Sequence, residues 1–311
     1  MKQYLVNRIL AGIVVIFGIS IFSFLLIHLI PGDPVKMILG NNATIEEVER
    51  LTNHLGLDEP LLVQYSEYIR NVIQGDFGTS LKTGRPVIIE ITDRFPETIK
   101  LAFSGIFIAF ILGISTGILA AKFKDTFIDK FFMSLATLGV SIPGFWFSLL
   151  LVMIFSVKLN WFPIAEGTGI KDLVLPSIAL GVVASTMISR LTRNGMVEVL
   201  SNDFIRTAKA KGLEERHILF RHALRNVLIP VVTVIGLQMA ALLGGTVIIE
   251  QVFNWPGLGT LAIGAISSRD FPLIQGTILF MGFVYVSINI LVDVMYGMID
   301  PRVDLSVREE R

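Results

Sequence analysis

Asp203-Phe-Ile-Arg-Thr-Ala-Lys-Ala-Lys-Gly212-Leu-Glu-Glu-Arg-His-Ile-Leu-Phe-Arg-His-Ala-Leu-Arg-Asn-Val-Leu-Ile-Pro230 is the stretch from which the rest of the chain is read. It lies in a segment, 190–226, that carries eight Lys/Arg and four Asp/Glu between two apolar runs. An Asp, Lys or Arg costs roughly 2.5 to 3.5 kcal/mol at the centre of a bilayer helix. The segment therefore lies in water between membrane spans. Its pattern is more ordered than a tether requires. Phe204, Ile205 and Ala208 recur at helical spacing, Gly212 supplies a stop, and Ile218, Leu219 and Ala223 begin a second periodic run before Pro230. A helix, a glycine break and a second helix held against a span make a surface for gripping a soluble partner.

Outward from this segment the chain is apolar: of 311 residues 53% are hydrophobic and 17% charged, with a mean hydropathy of +0.70. Such a composition excludes an ordinary soluble domain. A span needs about 20 mostly apolar residues. Six stretches qualify, roughly 9–30, 98–121, 131–157, 174–190, 227–249 and 273–296, so the fold class is an all-α membrane protein. With the N terminus inside, the inside segments hold sixteen basic residues, whereas the short outside loops hold Lys158, Lys171 and Arg269. By the positive-inside rule both termini and 190–226 are cytoplasmic. The first span is longer than a signal-peptide core, and Ile30-Pro-Gly-Asp-Pro34 is no small-residue cleavage site, so it is read as retained. The organisation is then 1–30, the cytoplasmic end and first span; 31–97, an extracytoplasmic loop; 98–300, a core containing the 190–226 loop; and 301–311, a cytoplasmic tail. The absence of cysteine excludes disulfides, thiolate catalysis and Cys metal sites.

The extracytoplasmic loop has its own helix punctuation. Thr44-Ile-Glu-Glu47 is a capping box, Gly56 a stop and Pro60 a restart, and Leu62, Tyr65, Ile69, Val72 and Ile73 form an amphipathic stripe ending at Gly75. Two short helices over the outer mouth serve as a lid or as a landing surface for an outside partner. Breakers interrupt the later spans: Ser141-Ile-Pro143-Gly144 at the start of the third, Leu175-Pro176 opening the fourth, and Gly236, Gly244 and Gly245 around Gln238 in the fifth. Freed backbone groups at that depth need protein or a watery cavity beside them. Pro143, Gly144, Trp146, Gln238, Met239 and Gly245 are therefore the candidates for a translocation pathway, though each glycine also suits close helix packing. His28 and Glu250 fall near the outer boundary, within reach of water or headgroups, whereas Asp293 is deep and needs a hydroxyl, a backbone amide or a basic group as partner.

Arg206-Thr-Ala-Lys-Ala-Lys-Gly212 followed by Arg221-His-Ala-Leu-Arg-Asn-Val-Leu-Ile-Pro230 resembles the EAA loop of binding-protein-dependent ABC importer permeases, in the form of the dipeptide/oligopeptide/nickel branch. Ile30-Pro-Gly-Asp-Pro34, Gly75-Asp-Phe-Gly78, Glu250-Gln-Val-Phe-Asn-Trp-Pro-Gly-Leu-Gly259 and Asp300-Pro-Arg302 are similar to the first permease of that branch. The likeness spans the chain from the first span to Arg302. Arg206 stands where the general pattern has Glu, and the interval from Gly212 to Pro230 exceeds that of sugar-type importers, so contacts of the latter are not transferred. The resemblance implies a type I importer permease fold of six transmembrane helices in a bacterial or archaeal cytoplasmic membrane. Its partners would be a related second permease, two cytoplasmic ABC ATPases and an extracytoplasmic solute-binding protein. The substrate would be di- or oligopeptides, with nickel or a metal chelate as the alternative.

Asp203, Arg206, Thr207, Ala208, Lys209, Ala210, Lys211, Gly212 and Leu213 then form the ATPase-coupling loop, with Ala208 and Ala210 permitting close approach to the ATPase. No G-x-x-x-x-G-K-[ST] phosphate loop occurs, so ATP and Mg2+ belong to partner subunits and no cofactor, metal or catalytic residue is expected in this chain. Lipid surrounds it, and nothing points to nucleic acid. Two rivals remain in view. Gly113-Ile-Ser115-Thr-Gly117 contains the G-x-S-x-G string of an intramembrane serine protease, but His28, His54, His217 and His222 all lie outside mid-span positions, and the same glycines make a packing face. A secondary transporter would show repeats and midplane carboxylates, whereas no repeat is evident and Asp293 is the sole deep acid.

Overall fold

The computed structural model describes residues 2–29, 35, 39, 44–54, 58–163 and 167–299. Among them α1 (Lys2–Leu29) is followed by α2 (Ile45–His54), α3 (Leu61–Ile73), α4 (Val87–Lys122), α5 (Phe127–Ser141), α6 (Gly144–Leu151) with a π-helical continuation Val152–Lys158, and α7 (Ile170–Leu200). After these come α8 (Asp203–Ala210), α9 (Glu215–His217), a π-helical turn Ile218–Ala223, α10 (Leu224–Gly245), α11 (Val247–Val252), α12 (Leu258–Ser268) and α13 (Phe271–Ile299). Five helices are long and apolar enough to cross a membrane, and the bent pair α5–α6 makes up to six. Ile30-Pro-Gly-Asp-Pro34, Gly56, Asp300-Pro-Arg302, the tail and the side chains of His28 and His54 lie outside the described residues.

Glycines set the central seam, in which α4 lies along α7. A methyl at Gly113 would sit 2.6 Å from Ile188 Cβ, one at Gly117 2.7 Å from the Ser189 carbonyl, and one at Gly181 2.9 Å from the Gly105 carbonyl. Small residues let the two backbones approach, the expected device where lipid provides no hydrophobic drive. Ser115 is exposed on another face of α4, so the Gly113–Gly117 string is a packing face in this structure. On the outer flank α1 packs against α13 through Gly12 and Gly282, and Arg8 Nε lies 3.2 Å from Asp293 Oδ2. The deep acid thus has a cation from the neighbouring helix.

Three boundaries differ from the sequence reading. The third span is no straight segment with a breaker at its start: its limbs Phe127–Gly139 and Gly144–Lys158 meet at 102°. Ile142 is held extended before Pro143, itself at φ −58° and ψ 128°, and two successive non-helical residues turn the chain. α7 begins before Pro176 and carries it internally. Both ends of the charged 190–226 segment are helical extensions of spans, which leaves α8 and its flanking turns as the true interruption.

The capping box at α2 forms, with Thr44 N donating to Glu47 Oε2 at 2.9 Å and Glu47 N donating to Thr44 Oγ1 at 3.3 Å. These bonds hold the Glu47 carboxyl below its usual range, the one from the Thr44 amide most of all.

Candidate functional site

At the basic end of the bundle α8 stands out from the spans. It ends in a Schellman turn: Gly212 N donates to the Lys209 carbonyl at 3.0 Å and Leu213 N to the Ala208 carbonyl at 3.3 Å. Gly212 has φ +75°, and a Cβ there would meet nothing within 4 Å. This glycine is required for backbone conformation and not for space. Ile205 and Ala208 are buried against Ile218 and Leu200, so α8 rests on the π-helical turn through these four residues. The exposed side presents Arg206, Thr207, Lys209, Ala210 and Lys211, with Phe204 46% and Leu213 40% exposed. Asp203 pairs with Arg206 at 3.5 Å on the surface.

One expectation changes here. Ala208 faces its own chain and cannot be the small residue that admits a partner, whereas Ala210 is exposed as expected. The period of the helix placed Ile205 and Ala208 on one face, but only the position of Ile218 decides which face is inward.

Lys122 Nζ reaches Glu215 Oε2 at 3.4 Å, tying the end of α4 to α9. Arg193 grips Asp129 through two bonds of 2.7 and 3.1 Å and braces α7 on α5. Beside α9 a recess of about 320 Å³ is lined by Glu214, Arg216, His217, Phe220 and Arg221. The basic residues at this end are thus divided between an exposed arm and braces that hold the spans beneath it.

The opposite end contains a feature the sequence reading missed. Glu250 is fully buried, not solvated at a boundary. Its Oε1 accepts from Thr98 Oγ1 at 2.9 Å and Thr246 Oγ1 at 2.8 Å, and its Oε2 from Gly259 N at 2.7 Å and Thr260 N at 3.1 Å. A desolvated carboxylate survives only with such partners, and the amides are those of the first turn of α12, whose dipole favours an anion. The surrounding motif follows from this. A side chain at Gly257 would run into the Glu250 carboxyl, and one at Gly259 would lie 2.8 Å from Oε2. Trp255 Nε1 donates to the Glu97 carbonyl at 2.9 Å, and Leu258 N to Thr98 Oγ1 at 2.8 Å, so the turn between α11 and α12 is bound to α4.

A second buried acid completes this end. Asp270 precedes α13, accepts from Leu273 N at 3.3 Å, and also takes Ser80 Oγ, Leu81 N at 3.1 Å and Lys82 N at 3.3 Å. It thereby holds the hairpin after Gly75-Asp-Phe-Gly78, where both glycines have positive φ and Asp76 Oδ1 accepts from Gly78 N at 2.8 Å. Asp270-Phe-Pro is a helix-start signal that sequence reading could have used. A recess of about 380 Å³ opens between this hairpin and α12, with Lys82, Arg94 and Asn254 on its walls.

The pathway candidates remain scattered. Pro143 is exposed, Gly144 faces open space and Trp146 is 47% exposed on α6, which packs on α7 and α11. Gln238 is half-buried on α10, and Met239 packs into two core clusters among α4, α7, α10 and α13. The surroundings of Gly245 lie outside the described residues. An apolar crevice of about 370 Å³ at the α5–α6 corner is lined by Phe132, Leu138, Ile142 and Phe147 with Thr116 and Ser189.

Residues 113–305 match the model of the family described as binding-protein-dependent transport system inner membrane component, and residues 1–102 match that of its N-terminal region. The chain is 42% identical over 303 residues to the glutathione transport system permease protein GsiC of Escherichia coli strain K12, covering 97% of this chain and 99% of the relative. The counterpart from Shigella flexneri serotype 5b is 41% identical over the same length. Among solved structures, inward-facing forms of the MetNI methionine ABC transporter align with a TM-score of 0.58 and 16% identity over 68% of this chain and 96% of that one, which shows the shared type I permease fold. The chain therefore belongs to the family of inner-membrane permease components of binding-protein-dependent ABC transport systems.

Proposed function

We propose that this chain forms one membrane half of an ATP-driven importer of di- or oligopeptides, beside a related second permease, with two ATPases on the α8 side and a solute-binding protein on the side of the long loop. The observation that carries this reading is the α8 arm. It is a short helix with a Schellman stop, seated on its own chain by Ile205 and Ala208, and it leaves Phe204, Leu213, Lys209 and Lys211 exposed to a partner. Apolar anchors ringed by cations suit a groove with an acidic rim. The density of Lys/Arg around the arm supports a cytoplasmic position for it and for both termini. The chain contains no phosphate loop, which supports placing ATP and Mg2+ in the partner subunits.

Closure of the ATPases would carry α8 with it. Its seat on Ile218 and the Lys122–Glu215 pair would pass the movement to α10 and α4, and packed helices that move as rigid bodies would alternate access across the membrane. Pro143, Gly144 and Trp146 at the α6 corner and Gln238, Met239 and Gly245 on α10 remain the proposed pathway positions. Peptides are favoured as cargo because the 42% identical relative serves glutathione, itself a tripeptide.

Reconstitution with the partner permease, both ATPases and the binding protein tests this. ATP-dependent uptake of labelled di- or tripeptides is the expected result. Uptake of nickel in place of peptides would move the cargo to the metal alternative, and peptide uptake that persists without the ATPases but stops with a protonophore would overturn the importer reading.

A further inference from the structure

α3 carries more apolar surface than the protein itself covers. At about 3.6 residues per turn, Tyr65, Tyr68 and Val72 share one arc of the helix, Leu62, Ile69 and Ile73 the adjoining arc, and Glu67, Arg70 and Asn71 the far side. The first arc lies on α1. The Tyr65 ring packs edge-on against Phe17 and Phe24 at 6.3 and 5.4 Å, its hydroxyl lies 2.8 Å from Ser20 Oγ, and Tyr68 lies 5.9 Å from Phe24. Among the described residues the second arc has no comparable contact: Ile69 is half-buried, but Leu62 is 84% and Ile73 79% exposed.

The level of this contact along α1 decides what covers the exposed arc. The apolar span of α1 runs Leu5–Leu26. Ser20 is six residues inside that end, which is about 9 Å at 1.5 Å per residue. A helix that reaches Ser20 and Phe17 therefore lies within the apolar layer's edge and not above it. Phe17, which meets Tyr65 in this contact, is itself more than half open. Ser66, the polar residue nearest this arc, donates its hydroxyl to the Val63 carbonyl at 2.8 Å and so needs no water.

We propose that α3 is an interfacial helix, its Leu62–Ile69–Ile73 arc seated among lipid acyl chains and its Glu67, Arg70 and Asn71 side in the headgroup layer. It is then a lipid-anchored brace that fixes the long loop beside α1, in addition to whatever that loop binds. This placement follows from the contacts with α1 alone and does not depend on the cargo.

Because the chain has no cysteine, a nitroxide can be attached singly at Leu62→Cys, Ile73→Cys, Glu67→Cys and Asn71→Cys in the transporter complex reconstituted with its partner subunits, each variant first shown to retain uptake. At 62 and 73 collision with oxygen should exceed collision with a water-soluble nickel chelate several-fold, and the ratio should invert at 67 and 71. Chelate-dominated collisions at 62 and 73 would show an aqueous lid and overturn the proposal. Shielding of both positions from both reagents would show a protein partner on the arc and would overturn it equally.

Discussion

The two ends of this molecule use glycine for opposite purposes. In the Glu250 knot Gly257 and Gly259 are there because a side chain would strike the buried carboxyl, while at the α8 arm Gly212 borders open space and is needed only for its positive φ. The knot is closed: four donors saturate Glu250, and another set saturates Asp270. The arm is lightly held, with Ile205, Ala208, Ile218 and Leu200 as its seat. A saturated polar network resists deformation, whereas an element with few buried contacts moves at low cost. One end is suited to hold the mouth of the bundle in shape, and the other to move with a partner.

Substitutions that strike the knot should damage the fold most. Glu250→Leu would strand two hydroxyls and two helix amides, at about 1–3 kcal/mol for each buried group left unsatisfied. No monodisperse transporter should be recovered in detergent, while Glu250→Gln, which keeps an acceptor, should give a reduced yield. Gly257→Ala should come next. Overpacking costs about 1–3 kcal/mol, and the purified complex should melt at a lower temperature with its subunits still associated.

At the arm the effects should become local. Ala208→Asp would place an unpaired charge against Ile205 and Ile218. Hydrogen exchange at 203–210 should rise sharply while that of α11 and α12 stays at the wild-type level, and uptake should be lost. Equal loosening at both ends would mean that the knot and the arm are one cooperative unit and not a fixed end and a mobile one.

The sequence carried the spans, the break at Gly212 and the family motifs because those signals are local: apolar length, charge density and turn chemistry. It could not carry the role of Glu250. Burial there depends on Thr98, which is 152 residues away in the chain and adjacent in space. The same holds for Asp270, whose hairpin partners Ser80 to Lys82 precede it by almost two hundred positions. The inward face of Ala208 was hidden for a related reason. Periodicity groups residues onto a face, but only tertiary contact tells which face turns inward. The bend at Pro143 was half visible. The breaker was plain in Ser141-Ile-Pro143-Gly144, whereas its 102° outcome required the positions of both limbs.

The central claim is that the Gly212 turn aims α8 at an ATPase. The direct test is to co-purify the ATPase subunits with the Gly212→Val and Gly212→Asn permeases and to measure stimulation of ATP hydrolysis by loaded binding protein. A β-branched residue at φ +75° is strained by about 1–2 kcal/mol, and nothing nearby resists the side chain itself, so the melting temperature should barely move. Asn tolerates the left-handed conformation. On this claim Gly212→Val should assemble and insert normally but lose the ATPases or their stimulation, while Gly212→Asn should retain most of both. Full association and stimulation in Gly212→Val would contradict it.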